Sequence, residues 1–180
     1  MSTTDNDIIF LDGRKIYLRS PEKSDIPLFV RWINDERIRK FLTVRKPIST
    51  DKEEEIVKRF NTGNNVHLVI CEKTKRIPVG SVSYEINWIN RRAELGIMIG
   101  EVALQGKGYG EEAMRIFIDY GFKTLNMHKI VLEVYAFNER AVKLYGKLGF
   151  KTEGVFKEHS YKEGKYHDLL YMGLIDRDWK

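Results

Sequence analysis

The chain is 180 residues long, 42% hydrophobic and formally +5, with 31 Lys and Arg residues interleaved among 26 Asp and Glu. That length suits one compact domain over residues 1–180, and no linker tract or internal repeat divides it. The diffuse basic charge excludes a dedicated nucleic-acid arm; with no signal-like start and no long apolar run, the expectation is a cytoplasmic protein without membrane association.

In chain order, Phe10 to Arg19 reads as two extended arms turning at Asp12-Gly13, with Ile16 and Leu18 on one face. A helix begins at Ser24 as cap, with Leu28, Trp32 and Ile33 at helical spacing, and a less regular piece runs from Asp35 to Phe41. Thr50 and Glu53 form a capping-box pattern that opens a second helix, with Ile56 and Phe60 on one face and Gly63 as its stop. Three antiparallel strands follow: Val66–Glu72, Val79–Ile86 and Arg92–Ile99. In the last, Ala93, Leu95, Ile97 and Ile99 form a core face and Glu94, Gly96 and Met98 the other, with Gly96 marking a bulge or a close approach. A helix from near Glu111 carries the stripe Tyr109, Ala113, Ile116, Phe117 and Tyr120, and Lys129–Val134 is a strand. Asn138 caps a last helix with Ala141, Leu144, Tyr145 and Leu148 on its apolar face and Gly149 at its end. Strands Lys151–Tyr161 and Tyr166–Leu174 close the chain as a hairpin. The fold class is α/β in the α+β sense, a mixed central sheet flanked by helices.

The chemistry centres on Gln105-Gly106-Lys107-Gly108-Tyr109-Gly110, between a strand and a helix. Glycines that accept positive φ let several N–H groups converge on one anion, the helix start adds its dipole, and Lys107 adds a full charge. A P-loop would need Gly at 101 and Ser or Thr at 108, where Glu101 and Gly108 stand. A dinucleotide fingerprint starting at Gly106 would need Gly at 111, which is Glu111. Cys71 is the only cysteine, and His67, His128, His159 and His167 form no ligand-spaced pair, so no metal is expected.

The spacing Gln105-x-x-Gly108-x-Gly110, followed by Asn138-x-x-Ala141-x-x-x-Tyr145 and Leu148-Gly149-Phe150, resembles the GNAT N-acetyltransferase superfamily. The likeness runs from about Val79 to Tyr171, and Asn90–Glu94 and Tyr120-Gly121-Phe122 look most like its ribosomal-protein and diamine acetyltransferase branches. The resemblance implies a GNAT-like fold in which two strands splay to form an acetyl-CoA notch. It implies that Ile97, Met98 and Ile99 bond pantetheine, that Gln105, Gly106, Lys107, Gly108, Tyr109 and Gly110 surround the pyrophosphate, and that Asn138 bonds the pantetheine arm. Read from its position alone, Asn138 is equally well a plain helix cap.

Acetyl transfer to an amine needs a neutral nucleophile, a donor for the developing oxyanion and a proton for the departing thiolate. Deprotonating a lysine-like amine at pH 7 costs about 4.6 kcal/mol. Glu94 is the candidate base acting through water, with Glu85 as second choice, and either is equally readable as a solvated strand-face carboxylate. The backbone N–H near Met98 or Ile99 is the oxyanion donor. Tyr145, a core residue by spacing, is the general acid that the resemblance implies, and it is expected to show a strong hydrogen bond or a lowered pKa.

The expected activity is therefore acetyl-CoA-dependent N-acetyl transfer, by direct attack in a ternary complex, to a protein N-terminus, a polyamine or another small amine. The alternatives are a non-catalytic acyl-CoA sensor and a basic nucleic-acid-binding domain. Homodimers are the base-rate oligomer for a soluble enzyme.

Overall fold

The computed structural model of the chain describes residues 8–60 and 62–180, and of Phe60 the backbone alone. Its elements are β1 (Leu11–Asp12), β2 (Ile16–Arg19), α1 (Ile26–Asn34), α2 (Glu36–Arg39), α3 (Thr50–Phe60), β3 (Asn65–Glu72), β4 (Ile77–Asn87), β5 (Arg92–Ile99), α4 (Tyr109–Lys123), β6 (Lys129–Tyr135), α5 (Glu139–Lys147), β7 (Lys151–Lys162) and β8 (Lys165–Ile175). The strands form one mixed sheet in the order β1-β2-β3-β4-β5-β6-β8-β7, antiparallel at every junction except β5 to β6. No helix among the described residues is long and apolar enough to cross a membrane.

Strand alternation splits the buried side chains between two layers. Ile16, Leu18, Tyr84, Ala93, Leu95, Ile130 and Leu132 face α4 and α5, where Phe117, Met114, Tyr145 and Leu148 complete the larger core. Tyr17, Val69 and Cys71 face the other way and pack with Phe29 and Trp32 of α1 and Val57 of α3. Helix α4 is fixed on the sheet by Tyr84, whose hydroxyl donates to the Phe117 carbonyl at 2.9 Å and whose ring stacks on Phe117 at 4.0 Å. Gly121 permits this contact, since a Cβ there would lie 2.8 Å from the Tyr84 hydroxyl.

Several local expectations are corrected. Ser24 does not cap α1: it lies in a short 3-10 turn, Lys23–Asp25, where Glu22 and Asp25 cap reciprocally. Arg19 holds the buried Asp25 carboxylate through two bonds of 2.7 and 2.8 Å, so the regular helix begins only at Ile26. At α3 the cap is Ser49, whose hydroxyl accepts from the Lys52 N–H at 3.2 Å. Glu53 turns inward beside Val57 instead of closing a box with Thr50, so the buried face of α3 carries Glu53 and Val57, with Ile56 half-buried. Gly96 marks a close approach and no bulge: the β4–β5 register is continuous, and a Cβ at Gly96 would lie 2.9 Å from the Ser83 hydroxyl. Helix α4 begins at Tyr109, two residues ahead of the expected start.

Candidate active site

The site arises where two neighbouring strands part. β5 and β6 pair over three rungs only, Arg92 with Lys129, Ala93 with Ile130 and Glu94 with Val131. Beyond them β5 stays with β4 as far as Ile99, while β6 stays with β8 as far as Tyr135 opposite Leu169. The facing edges from Leu95 and from Leu132 onward therefore bound a wedge-shaped notch.

Which backbone groups face that notch follows from antiparallel alternation. The Gly100 N–H donates to the Val79 carbonyl at 2.9 Å, which fixes the phase. Glu94, Gly96 and Met98 therefore turn their main-chain groups to β4, Met98 opposite Ser81, whereas Leu95, Ile97 and Ile99 turn theirs into the notch. Of the two expected oxyanion donors, the Ile99 N–H points into the notch and the Met98 N–H points away. The Ile97 N–H points into the notch as well.

At the mouth, Gly106 and Gly108 take the left-handed region at φ +82 and +87, and nothing lies within 4 Å of where a Cβ on Gly106 would stand. Gly108 is the N-cap of α4 and supplies no side-chain cap, so the first N–H groups of the helix are open to an anion. The acids in that first turn are occupied: Lys147 and Arg115 bind Glu111 at 2.8 and 3.3 Å, and Glu112 accepts the Lys15 N–H at 2.8 Å. Lys107 is exposed beside the loop and Tyr109 is half-buried against the main core. Gly110 lies against the Ile99 and Ile97 side chains, with a would-be Cβ 3.4 Å from Ile99 Cγ1. These features fit a pyrophosphate. Gln105 differs from the expectation, since its amide donates to the Ile99 carbonyl at 3.0 Å and its Oε1 lies 3.4 Å from Arg140. It ties the loop to the notch strand.

Asn138 caps α5, its Oδ1 accepting the Ala141 N–H at 3.3 Å. Tyr145 is buried on the α4–α5 side of the sheet, its ring 6.1 Å from that of Phe150. Burial alone pushes its phenol up to about 12, which removes the lowered value and leaves the strong hydrogen bond of the two expectations. Glu94 occupies the other face. It stands opposite Glu85 on β4, and Glu133 projects to the same side two residues beyond its β6 partner Val131. Burial, then Glu133 and Glu85, raise the Glu94 carboxyl, against a smaller opposing effect of Arg92. Glu133 escaped the sequence reading, although its alternation with Leu132 and Val134 would have placed it on this face.

A segment connecting α2 to α3 crosses this second face. Lys162, at the tip of the β7–β8 hairpin, donates to the Arg39 carbonyl at 3.1 Å and to that of Leu42. Arg45 donates to the Tyr161 carbonyl, and Phe41 stacks on Phe137 at 6.0 Å. No sequence pattern announced this strap, because its contacts join residues more than 90 positions apart.

The sequence of the GNAT acetyltransferase domain family matches residues 15–151. Spermidine N(1)-acetyltransferase of Vibrio cholerae serotype O1 is 32% identical over 162 residues, 89% of this chain and 93% of that one. A crystal structure of spermidine N-acetyltransferase from Vibrio cholerae, in complex with CoA and spermine, superposes with a TM-score of 0.86 at 30% identity, over 92% of this chain and 98% of that one. The putative ribosomal N-acetyltransferase YdaF of Bacillus subtilis is 31% identical over 97 residues, 54% of this chain and 52% of that one. With the splayed strands already pointing to the same conclusion, the extent of these matches makes the chain a member of the GNAT family and an acetyl-CoA-dependent N-acetyltransferase.

Proposed function

We propose that the chain acetylates a primary alkyl amine by direct attack in a ternary complex, with Glu94 as base and Tyr145 as acid on opposite faces of the notch. The observation that carries this reading is Glu94 itself: a carboxylate exposed on the last paired rung before the strands part, raised by partial desolvation and by two like charges. A base tuned upward removes a proton from an ammonium more effectively than an ordinary carboxylate does.

Acetyl-CoA supplies the thioester carbonyl that is attacked and the thiolate that leaves. The notch-facing groups of Ile97 and Ile99 hold the pantetheine arm and offer N–H donors to the carbonyl oxygen as it gains charge. Gly106 and Gly108 open the loop, Gly110 lets the first turn of α4 lie against Ile99, Lys107 adds charge, Gln105 anchors the loop to Ile99, and Tyr109 packs it onto the core. Asn138 positions α5 and thereby Tyr145. The amine enters from the Glu94 face, and its proton passes to Glu94 through water. The new C–N bond forms as the C–S bond breaks, and Tyr145 donates a hydrogen bond to the departing sulfur. The polyamine named for the Vibrio cholerae relative and a protein N-terminus both satisfy the primary-amine requirement.

The test is release of free thiol from acetyl-CoA with a panel of primary amines, and identification of the N-acetyl product by mass. Saturable CoA binding with no thiol release on any amine would replace this reading with that of an acyl-CoA sensor.

A further inference from the structure

The strap over the acceptor face carries an unbalanced charge. Between positions 37 and 46 stand Arg37, Arg39, Lys40, Arg45 and Lys46, and no acid appears before Asp51. Arg37 pairs with Asp35. Arg39, Lys40, Arg45, Lys46 and Lys162 form no ion pair among the described residues, whereas Lys73, Arg115, Lys129, Lys147 and Lys157 do. Bonds from Arg45 and Lys162 to main-chain carbonyls hold the strap in place but leave its charge uncancelled.

Arg45 and Lys162 lie side by side at the hairpin tip, over the far end of β6. The Lys162 ammonium lies 5.0 Å above the ring of Tyr135, the last residue of β6, and Tyr135 stacks on Phe137 at 5.1 Å, which in turn meets Phe41 of the strap. Tyr135 is 2% exposed, and its hydroxyl is buried with no hydrogen-bond partner among the described residues. A buried hydroxyl without a partner is costly, and a site that keeps one has a polar group to offer a ligand. Burial, with Arg45 and Arg39 nearby, lowers the Lys162 ammonium, while Glu163 alone opposes them. Three mutually repelling cations beside an orphan hydroxyl are relieved by an anion.

Resting on the primary-amine reading above, we propose that the acceptor carries an anionic group, carboxylate or phosphate, at its far end, held by Arg39, Arg45 and Lys162 with the Tyr135 hydroxyl. The amine lies toward Glu94 and the anion toward the strap, so the acceptor is dipolar and a polyamine is disfavoured. Tyr135 stands four residues past the last paired β6 residue, so the two ends are about 13 Å apart along the strand.

The test is a thiol-release assay on the full chain with amines long enough to span that distance: 11-aminoundecanoate and 9-aminononyl phosphate as carboxylate and phosphate acceptors, undecylamine as the neutral one, and spermidine as the polycation. The expected result is a kcat/KM at least tenfold higher for one anionic amine than for undecylamine or spermidine, and the winner identifies the anion. In the Arg39→Gln, Arg45→Gln double variant that preference ratio falls at least tenfold, whatever fraction of the enzyme folds. Tyr135→Phe raises the KM for the anionic amine severalfold without lowering Tm. Spermidine turned over as well as the anionic amines, or a ratio unmoved in the double variant, overturns the inference while leaving the primary-amine reading intact. No thiol release with any amine removes both.

Discussion

Glu85 and Glu94 stand directly opposite each other across β4 and β5, two like charges in a cross-strand pair. Such a pair weakens a sheet, and here Glu133 adds a third carboxylate on the same face. The arrangement is explained by what it does to Glu94, whose proton is held more tightly than in an ordinary carboxyl.

As the proposed base, Glu94 would act when ionised, so the acid limb of kcat/KM is expected above the ordinary glutamate value of about 4.3. Glu94→Gln is expected to lower kcat/KM by about a hundredfold and to abolish that limb. Glu85→Gln removes one of the charges that raise Glu94, so the limb moves to lower pH while Tm rises. A pH profile of both variants checks this, and a limb that stays put in Glu85→Gln disconnects the two residues.

Tyr145, pushed up to about 12, stays protonated across the working range, which suits a donor. Full transfer from it to a thiolate of ordinary pKa near 8.5 is uphill by about 5 kcal/mol, so the role proposed for it is a hydrogen bond to developing sulfur charge. Tyr145→Phe is expected to lower kcat at least tenfold, with the Kd for CoA changed less than twofold and Tm maintained. Rapid-mix turnover and calorimetry separate these quantities; undiminished kcat would take Tyr145 out of the mechanism.

What could be read ahead of the structure was local. Strand β5 emerged at its observed bounds because its apolar residues alternate without interruption, and Asn138 was recognisable as a cap because its bond to Ala141 spans one turn. The caps at Glu22 and Ser49 were misplaced because neighbouring residues offered equally good short-range patterns, and the choice was made by Arg19 reaching Asp25 and by Glu53 turning inward. The phase that turns Ile97 and Ile99 into the notch depends on pairing with β4. The strap depends on the far hairpin. Neither is encoded within one segment.

Gln105 links the pyrophosphate loop to the notch edge through its 3.0 Å bond to the Ile99 carbonyl. Losing one such bond costs about 1 kcal/mol, so Gln105→Ala is expected to weaken CoA binding roughly fivefold. Because the bond positions the loop and makes no chemistry, kcat at saturating acetyl-CoA should hold within twofold. Isothermal titration with CoA, beside initial rates, gives both numbers, and equal losses in Kd and kcat would assign Gln105 to the reacting centre instead.

Glu53 is 3% exposed between α3 and the layer beneath it, its Oε2 has no hydrogen-bond partner among the described residues, and burial raises its carboxyl. The folded chain therefore binds this proton more tightly than the unfolded chain does. Between the ordinary value of about 4.3 and the raised one, the unfolded state has lost a proton that the folded state keeps, so stability falls as pH rises through that window. Above the window the buried charge remains as a constant penalty. Glu53→Gln removes the charge and keeps the shape, so its Tm should exceed that of the parent chain at pH 8, with the gap closing as the pH is lowered toward 4.5. Thermal melts across that range provide the measurement, and coincident curves at pH 8 would mean that Glu53 is neutralised by a partner when the chain unfolds or folds.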